Sequence, residues 1–381
     1  MKKLILLLIT TLFISCSENK IETVTLYTDL PHILPFIENF NKHNDDIKII
    51  LELNPKNNYD ITIFSGQKDS SQIETADITD LLETGKIKKE LFYSEVLNLA
   101  KNDKGEFRVL PLTFDLPGVI YNRHTKKHPT DINIDDFINN KKSIFSPYWN
   151  SDFILWFYLS LSPEFNIEDS YFDKKEFTYT AKTMLNLLND DSLNYNDFNN
   201  KYLHLSPELL LKDKIIDYYY STLSNFLNSD INNFKDLAFS FLSKNNLINT
   251  ADRAVFIGIN SNSKKIRSSK KVLTWMFNKD NQEQFIKENF NSSGLYKLFN
   301  KELSTLIYVS KSVLPQYYPE LRLLMPNNNE ISAYLYLPEL WDSLKDELLN
   351  PMFNDIISLD EDKWEKKYIE YFNDWSKKQN K

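Results

Sequence analysis

VTLYTDLPHILPFIENFNKHNDDIKIILELNPKNNYDITIF, residues 24–64, sets out strand, helix, strand and strand in succession. Val24-Thr25-Leu26-Tyr27 is β-branched, apolar and aromatic, and it stops at Thr28-Asp29. From His32 to Asn44 the apolar residues Ile33, Phe36, Ile37 and Phe40 recur at helical spacing. Ile47 to Leu51 and Tyr59 to Phe64 then return to strand composition. Strands alternating with a helix predict an α/β domain with a largely parallel, helix-covered sheet. Ligands of such sheets bind beyond the carboxyl ends of the strands. Asp29, and Gln67 after Ser65-Gly66, fall at those ends and are candidate contacts.

Arg108 to Asn122 reads as an extended segment interrupted by Pro111, Pro117 and Gly118, which suits a crossing between two lobes. From Asp135 the chain is expected to turn mostly helical, with aromatic-rich stretches at Trp156-Phe157-Tyr158 and Tyr218-Tyr219-Tyr220. Ala254 to Ile259 reads as a late strand, followed by a helix from Ser268 to Phe285. Two further amphipathic stretches, Leu340 to Leu349 and Trp364 to Trp375, close the chain.

The N-terminus carries a different message. Lys2-Lys3 precedes an apolar run from Leu4 to Ile14, which is followed by Ser15 and by Cys16, the only cysteine of the 381 residues. A basic start, a short apolar run and a small residue make a secretory signal over residues 1–15. The run falls short of the roughly 20 residues a spanning helix needs. Cys16 directly after the small residue resembles a bacterial lipobox, with Phe13 departing from the usual leucine. Lipidation of Cys16 and simple secretion are the two readings. The first predicts an extracytoplasmic protein tethered to a membrane by residues 16–22.

A hydrophobic content of 42% and an aromatic content of 14% supply ample material for burial, over a length that suits two lobes. The net charge of −8 argues against a nucleic-acid partner. With six glycines, none paired closely, a phosphate-cradling loop is absent, and no cofactor is expected.

The order of four segments resembles the family 1 extracellular solute-binding proteins, the receptors of ATP-driven importers, in its maltose-binding-protein-like branch. Asp60 to Phe64 is similar to the strand after the first βαβ unit, and Pro111 to Asn122 to the first hinge crossing. Phe145-Ser146-Pro147-Tyr148-Trp149 is similar to a far-lobe loop that presents rings to a sugar. Met325-Pro326-Asn327 with Ser332 to Tyr336 is similar to a loop and helix completing that lobe. The resemblance implies a two-lobed periplasmic-binding-protein-like fold of type II, with the ligand cleft between lobes. It places residues 23–114 and 253–308 in a near lobe, and residues 115–252 and 309–381 in a far lobe.

By the same resemblance Asp115 would accept hydrogen bonds from ligand hydroxyls; the alternative is a carboxylate capping the hinge. Tyr148 and Trp149 would stack on a sugar, or else pack within their own lobe. Phe64 would stand at the mouth of the cleft or in the core, and Tyr336 beside another stacking position. Gln67-Lys68 and Leu335 depart from the residues found at those places in maltose binders, so the resemblance does not extend to maltose itself. The implied partners are a small solute, preferably a carbohydrate, and a permease, with the chain itself a monomer. Adhesin or sensor is the rival role.

Enzyme chemistry lacks a constellation. His124 and His128 have helical spacing, but Pro129 follows and Lys126-Lys127 intervenes, so no metal is expected there. Adjacent acidic pairs such as Asp135-Asp136 do not face each other.

Overall fold

A computed structural model of the chain describes residues 21–54, 58–66, 74–102, 104–124, 131–139, 151–161, 178–183, 195–202, 204–229, 235–251, 254–293, 302–333, 341–356 and 359–379. Everything structural below concerns these residues. The strands are β1 (Glu22–Thr28), β2 (Ile47–Glu52), β3 (Ile61–Ser65), β4 (Val109–Phe114), β5 (Pro117–Asn122) and β6 (Asp131–Asn133), followed by β7 (Tyr218–Thr222), β8 (Leu237–Ser243), β9 (Ile248–Asn249), β10 (Ala254–Ile259), β11 (Leu303–Ser304) and β12 (Ile331–Ser332). The helices that matter here are α1 (Leu34–His43), α2 (Ser151–Leu161), α3 (Leu223–Asn228), α4 (Ile266–Met276), α5 (Lys279–Ser293), α6 (Asn350–Ile356) and α7 (Glu361–Gln379).

The opening stretch folds as its pattern dictates. β1 pairs in parallel with both β2 and β3. α1 turns Phe36, Ile37 and Phe40 inward. The rings of Phe36 and Phe40 lie 5.4 and 5.1 Å from Trp275 of α4, and Phe36 lies 5.0 Å from Phe285 of α5. Aromatic contacts at these spacings add to the area they bury. The first sheet runs β11-β4-β10-β3-β1-β2. Only its β2-β1-β3 half is parallel, because β10 joins β3 and β4 antiparallel and β11 joins β4 the same way. The expectation of a largely parallel sheet therefore holds for the first βαβ unit alone. Strands arriving from distant sequence supply the antiparallel half.

β4 leaves this sheet at Phe114, and after an interval of two residues β5 enters another, ordered β6-β8-β5-β7. The expected crossing is thus residues 115–116. A second crossing, from β9 through Thr250 and Ala251 towards β10, runs beside it, with Ala251 N donating to Asp115 O at 2.9 Å. The two crossings divide the molecule into the two lobes of a type II binding-protein fold.

Three expectations require correction. Tyr218 to Tyr220, expected within a mostly helical stretch, is strand β7, and Leu237 to Ser243 adds β8, although helix still outweighs strand among the described residues after Asp135. Runs of tyrosine and phenylalanine suit a pleated, half-buried surface, and here they flank β5 on both sides. The helix expected over Ser268 to Phe285 is broken at Phe277-Asn278, where Asn278 Oδ1 accepts from Asp280 N at 2.8 Å and caps α5. Residues after 308, expected in the far lobe, first pack on near-lobe elements. Val309–Val313 sits against α5 and β11, Ser94 N donates to Asn328 Oδ1 at 2.7 Å, and Tyr93 Oη reaches Pro326 O at 3.4 Å. From Trp341 the chain joins the far lobe, where Trp341, Met352, Trp364 and Trp375 share a core with Phe153 and Phe157 of α2. No helix among the described residues is long and apolar enough to cross a membrane.

Candidate functional site

A pocket of ≈ 490 Å³ lies where the crossings meet. Its near wall includes Asp115 and Glu302, its floor Thr250 and Ala251, and its far wall Tyr219 and Tyr220 of β7 with Trp156 of α2; Lys345 and Asp346 are among the other lining residues. The position of Glu302 follows from backbone register. Leu303 pairs with Phe114 and Ser304 with Thr113 in an antiparallel ladder, so continuing by one residue sets Glu302 opposite Asp115. Thr113 and Asp115 then share a face, and Thr113 Oγ1 donates to Glu302 Oε2 at 2.5 Å.

Asp115 is buried. Its Oδ1 accepts from Leu116 N at 2.8 Å and Ser224 N at 3.1 Å, and its Oδ2 from Ser224 Oγ at 2.5 Å. Ser224 lies in the first turn of α3, whose N-cap is Thr222. The carboxylate therefore sits over the positive end of a helix and satisfies an otherwise orphaned N–H. Of the two readings offered by sequence, these bonds show the hinge cap directly. Burial raises the Asp115 pKa, and the hydrogen bonds from Ser224, Thr222 and Leu116 oppose that rise.

Glu302 is pushed up to about 8, first by burial and then by the Asp115 charge, against the hydrogen bond from Thr113. At neutral pH it holds a proton, which spares the hinge two facing negative charges. A carboxyl whose folded pKa lies above its unfolded value binds more protons when folded. Its contribution is complete below about pH 4.5 and disappears as pH rises through about 8. Glu302→Gln removes this titration. The stability difference between wild type and Glu302→Gln should shrink by about 4 kcal/mol from about pH 5 to about pH 8.5, read from urea melts. A pH-independent difference would show that Glu302 ionises in the folded protein as it does in the unfolded chain.

The other sequence candidates scatter. Phe64 is 5% exposed and stacks on Phe256 at 6.0 Å inside the near-lobe core, away from the pocket wall. It belongs to the apolar strand β3, and its side chain follows that strand's buried residues inward. Asp29 is exposed at the end of β1 and does not line the pocket. Gln67, Tyr148, Trp149, Tyr336 and Cys16 lie outside the described residues. His124 Nε2 meets Asp236 Oδ1 at 2.8 Å in an exposed pair, while His128 also lies outside. Among the described residues no cluster of three or more metal-ligating side chains occurs.

Sequence reasoning passed over Glu302, Trp156 and Lys345 as site residues. The aromatic runs containing Trp156 and Tyr219-Tyr220 were visible, but which ring of a run faces a cavity depends on the neighbouring lobe. Glu302 stands between Lys301 and Leu303 with no local signal at all.

The sequence matches no family profile and no curated protein. Solved structures share its fold. An extracellular solute-binding protein from Staphylococcus aureus in complex with maltose is 14% identical, superposes over 94% of this chain and 98% of its own, and has a TM-score of 0.63. A sugar transporter from Rhizobium etli in an open conformation is 13% identical over 92% and 98%, with a TM-score of 0.63. A cyclic α-maltosyl-1,6-maltose binding protein from Arthrobacter globiformis is 14% identical over 93% and 99%, with a TM-score of 0.62. The similarity spans nearly the whole of each chain, so this chain shares their fold.

Proposed function

We propose that this chain is an extracytoplasmic solute-binding protein that captures a carbohydrate between its lobes and presents it to the permease of an ATP-driven importer. The observation that carries the reading is the makeup of the interlobe pocket. Aromatic surface from β7 and α2 faces carboxyl groups and hydroxyls at the crossings. Rings suit the apolar faces of a sugar, and carboxylates and hydroxyls suit its hydroxyls. Neighbours of the same fold include proteins described as bound to maltose or as binding a cyclic maltosyl sugar. Lipidation at Cys16 would hold the receptor beside its permease, on the evidence of the N-terminal pattern alone.

No bond chemistry is involved. A ligand that touches both walls stabilises the closed arrangement by its differential contacts, and the closed arrangement is what a permease reads. The test is a thermal-shift screen of residues 17–381, which include every described residue. The panel is maltose, maltotriose, cellobiose, raffinose, free amino acids and short peptides. A saturable rise in melting temperature with a sugar is the expected result. A rise only with amino acids or peptides would replace carbohydrate with that class. A cooperative melt that no panel member shifts would favour an adhesin or sensor built on the same fold.

A further inference from the structure

Two carboxyl side chains stand on the near wall of the pocket, and they differ in what each leaves free for a ligand. Both oxygens of Asp115 are engaged inside the hinge, by Leu116 N, Ser224 N and Ser224 Oγ. Glu302 engages one. Its Oε2 accepts from Thr113 Oγ1 at 2.5 Å, while Oε1 has no hydrogen-bond partner among the described residues. Nor is Oε1 sealed in: Glu302 is half-buried, and neither of its oxygens is among the unpaired side-chain atoms closed to solvent. An open, unpaired carboxyl oxygen on a residue that lines a cavity meets whatever fills that cavity.

We infer that Glu302 is a specificity-determining binding residue of the near wall, whose Oε1 donates a hydrogen bond to a ring or glycosidic oxygen of the bound solute. This rests on the sugar-binding reading above and adds to it the identity and polarity of a near-wall contact. Geometry assigns the donor. Oε2 receives the Thr113 hydrogen, so the proton of the neutral carboxyl belongs on Oε1. The neutral form follows from burial and from Asp115 opposite. The other ionisable groups among the described lining residues are Asp152 of α2, Tyr219 and Tyr220 of β7, and Lys345 and Asp346 of the far lobe. Of all these, Asp115 is the charge that bears on Glu302. A sugar hydroxyl can turn to donate to a carboxylate, but a ring or glycosidic oxygen carries no hydrogen and needs a donor. Ionised Glu302 could only accept, leaving two acceptors face to face, so binding is tied to the Glu302 proton.

The experiment is isothermal titration of residues 17–381 with maltose, maltotriose, cellobiose and raffinose, at about pH 7 and about pH 9, in wild type and Glu302→Gln. A carboxyl that titrates at about 8 keeps most of its donor at the first pH and little at the second. A sugar that binds the wild type should bind about fivefold or more weakly at the higher pH. Near the midpoint, in buffers of different ionisation enthalpy, its binding should take up a fraction of a proton. Glutamine offers an amide donor that does not titrate, so both effects should vanish in Glu302→Gln. Wild-type affinity within about twofold across the two pH values overturns the inference, as does an unchanged pH dependence in Glu302→Gln; either result leaves the sugar-binding reading intact. Should that variant fail to fold or to bind, the wild type decides alone: proton uptake supports the inference and its absence overturns it. Absence of binding by all four sugars to the wild type overturns the reading and this inference together.

Discussion

Replacing Gly118 by alanine should destabilise the protein by about 3 kcal/mol or more, as overpacking does when no neighbour can yield. Gly118 lies in β5 between two hydrogen-bonded neighbours, paired with Ser221 of β7 and Phe241 of β8. A Cβ built there would stand 2.2 Å from Phe239 Cζ and 2.4 Å from the backbone oxygen of Ser240. The second contact is decisive. A ring can swing aside, but a carbonyl inside the ladder moves only with its strand, and β5 is held on both edges. Gly118 is required for space and not for backbone freedom, since its φ lies outside the left-handed region. Urea denaturation of Gly118→Ala against wild type checks this; a loss below about 1 kcal/mol would mean that β5 and β8 separate more easily than their pairing implies.

Asp115→Ala should cost a similar amount, about 3 kcal/mol, for a different reason. The substitution removes an acceptor and leaves its donors in place. Leu116 N, Ser224 N and Ser224 Oγ would all be stranded at a buried position. Asp115→Asn preserves size and one acceptor oxygen for the two backbone donors, while its amide nitrogen can donate to the Ser224 hydroxyl. It should lose only about 1 kcal/mol. Thermal and urea melts of both variants at one pH give the comparison. Equal losses would show that charge matters at Asp115 and that hydrogen-bond count does not. Because Asp115 O also accepts from Ala251 N, loosening this residue frees both crossings at once, so Asp115→Ala should in addition broaden the unfolding transition.

Sequence reading reached different depths in different places. β1, α1, β2 and β3 were legible because each is specified within a few residues, by β-branched runs or by a recurrence of three and four. The first crossing was legible from Pro117 and Gly118. The tyrosine run at 218–220 was harder: its three consecutive rings carry no period, and only pairing with β5 makes it a strand. Asp115, singled out from the sequence, lines the pocket. Its partners are Ser224 and Thr222, more than a hundred residues away, and no local pattern announces them.

The chain by itself determined the βαβ beginning and the place of the first crossing, since propensity and periodicity are short-range properties. Tertiary structure alone decided the chemistry of the pocket. Thr113 and Glu302 are 189 positions apart, and only the β4–β11 register brings a second carboxyl opposite Asp115 and raises its pKa. Dielectric, hydrogen-bond partners and cavity shape depend on which surfaces meet, and that is settled by the packing of distant segments.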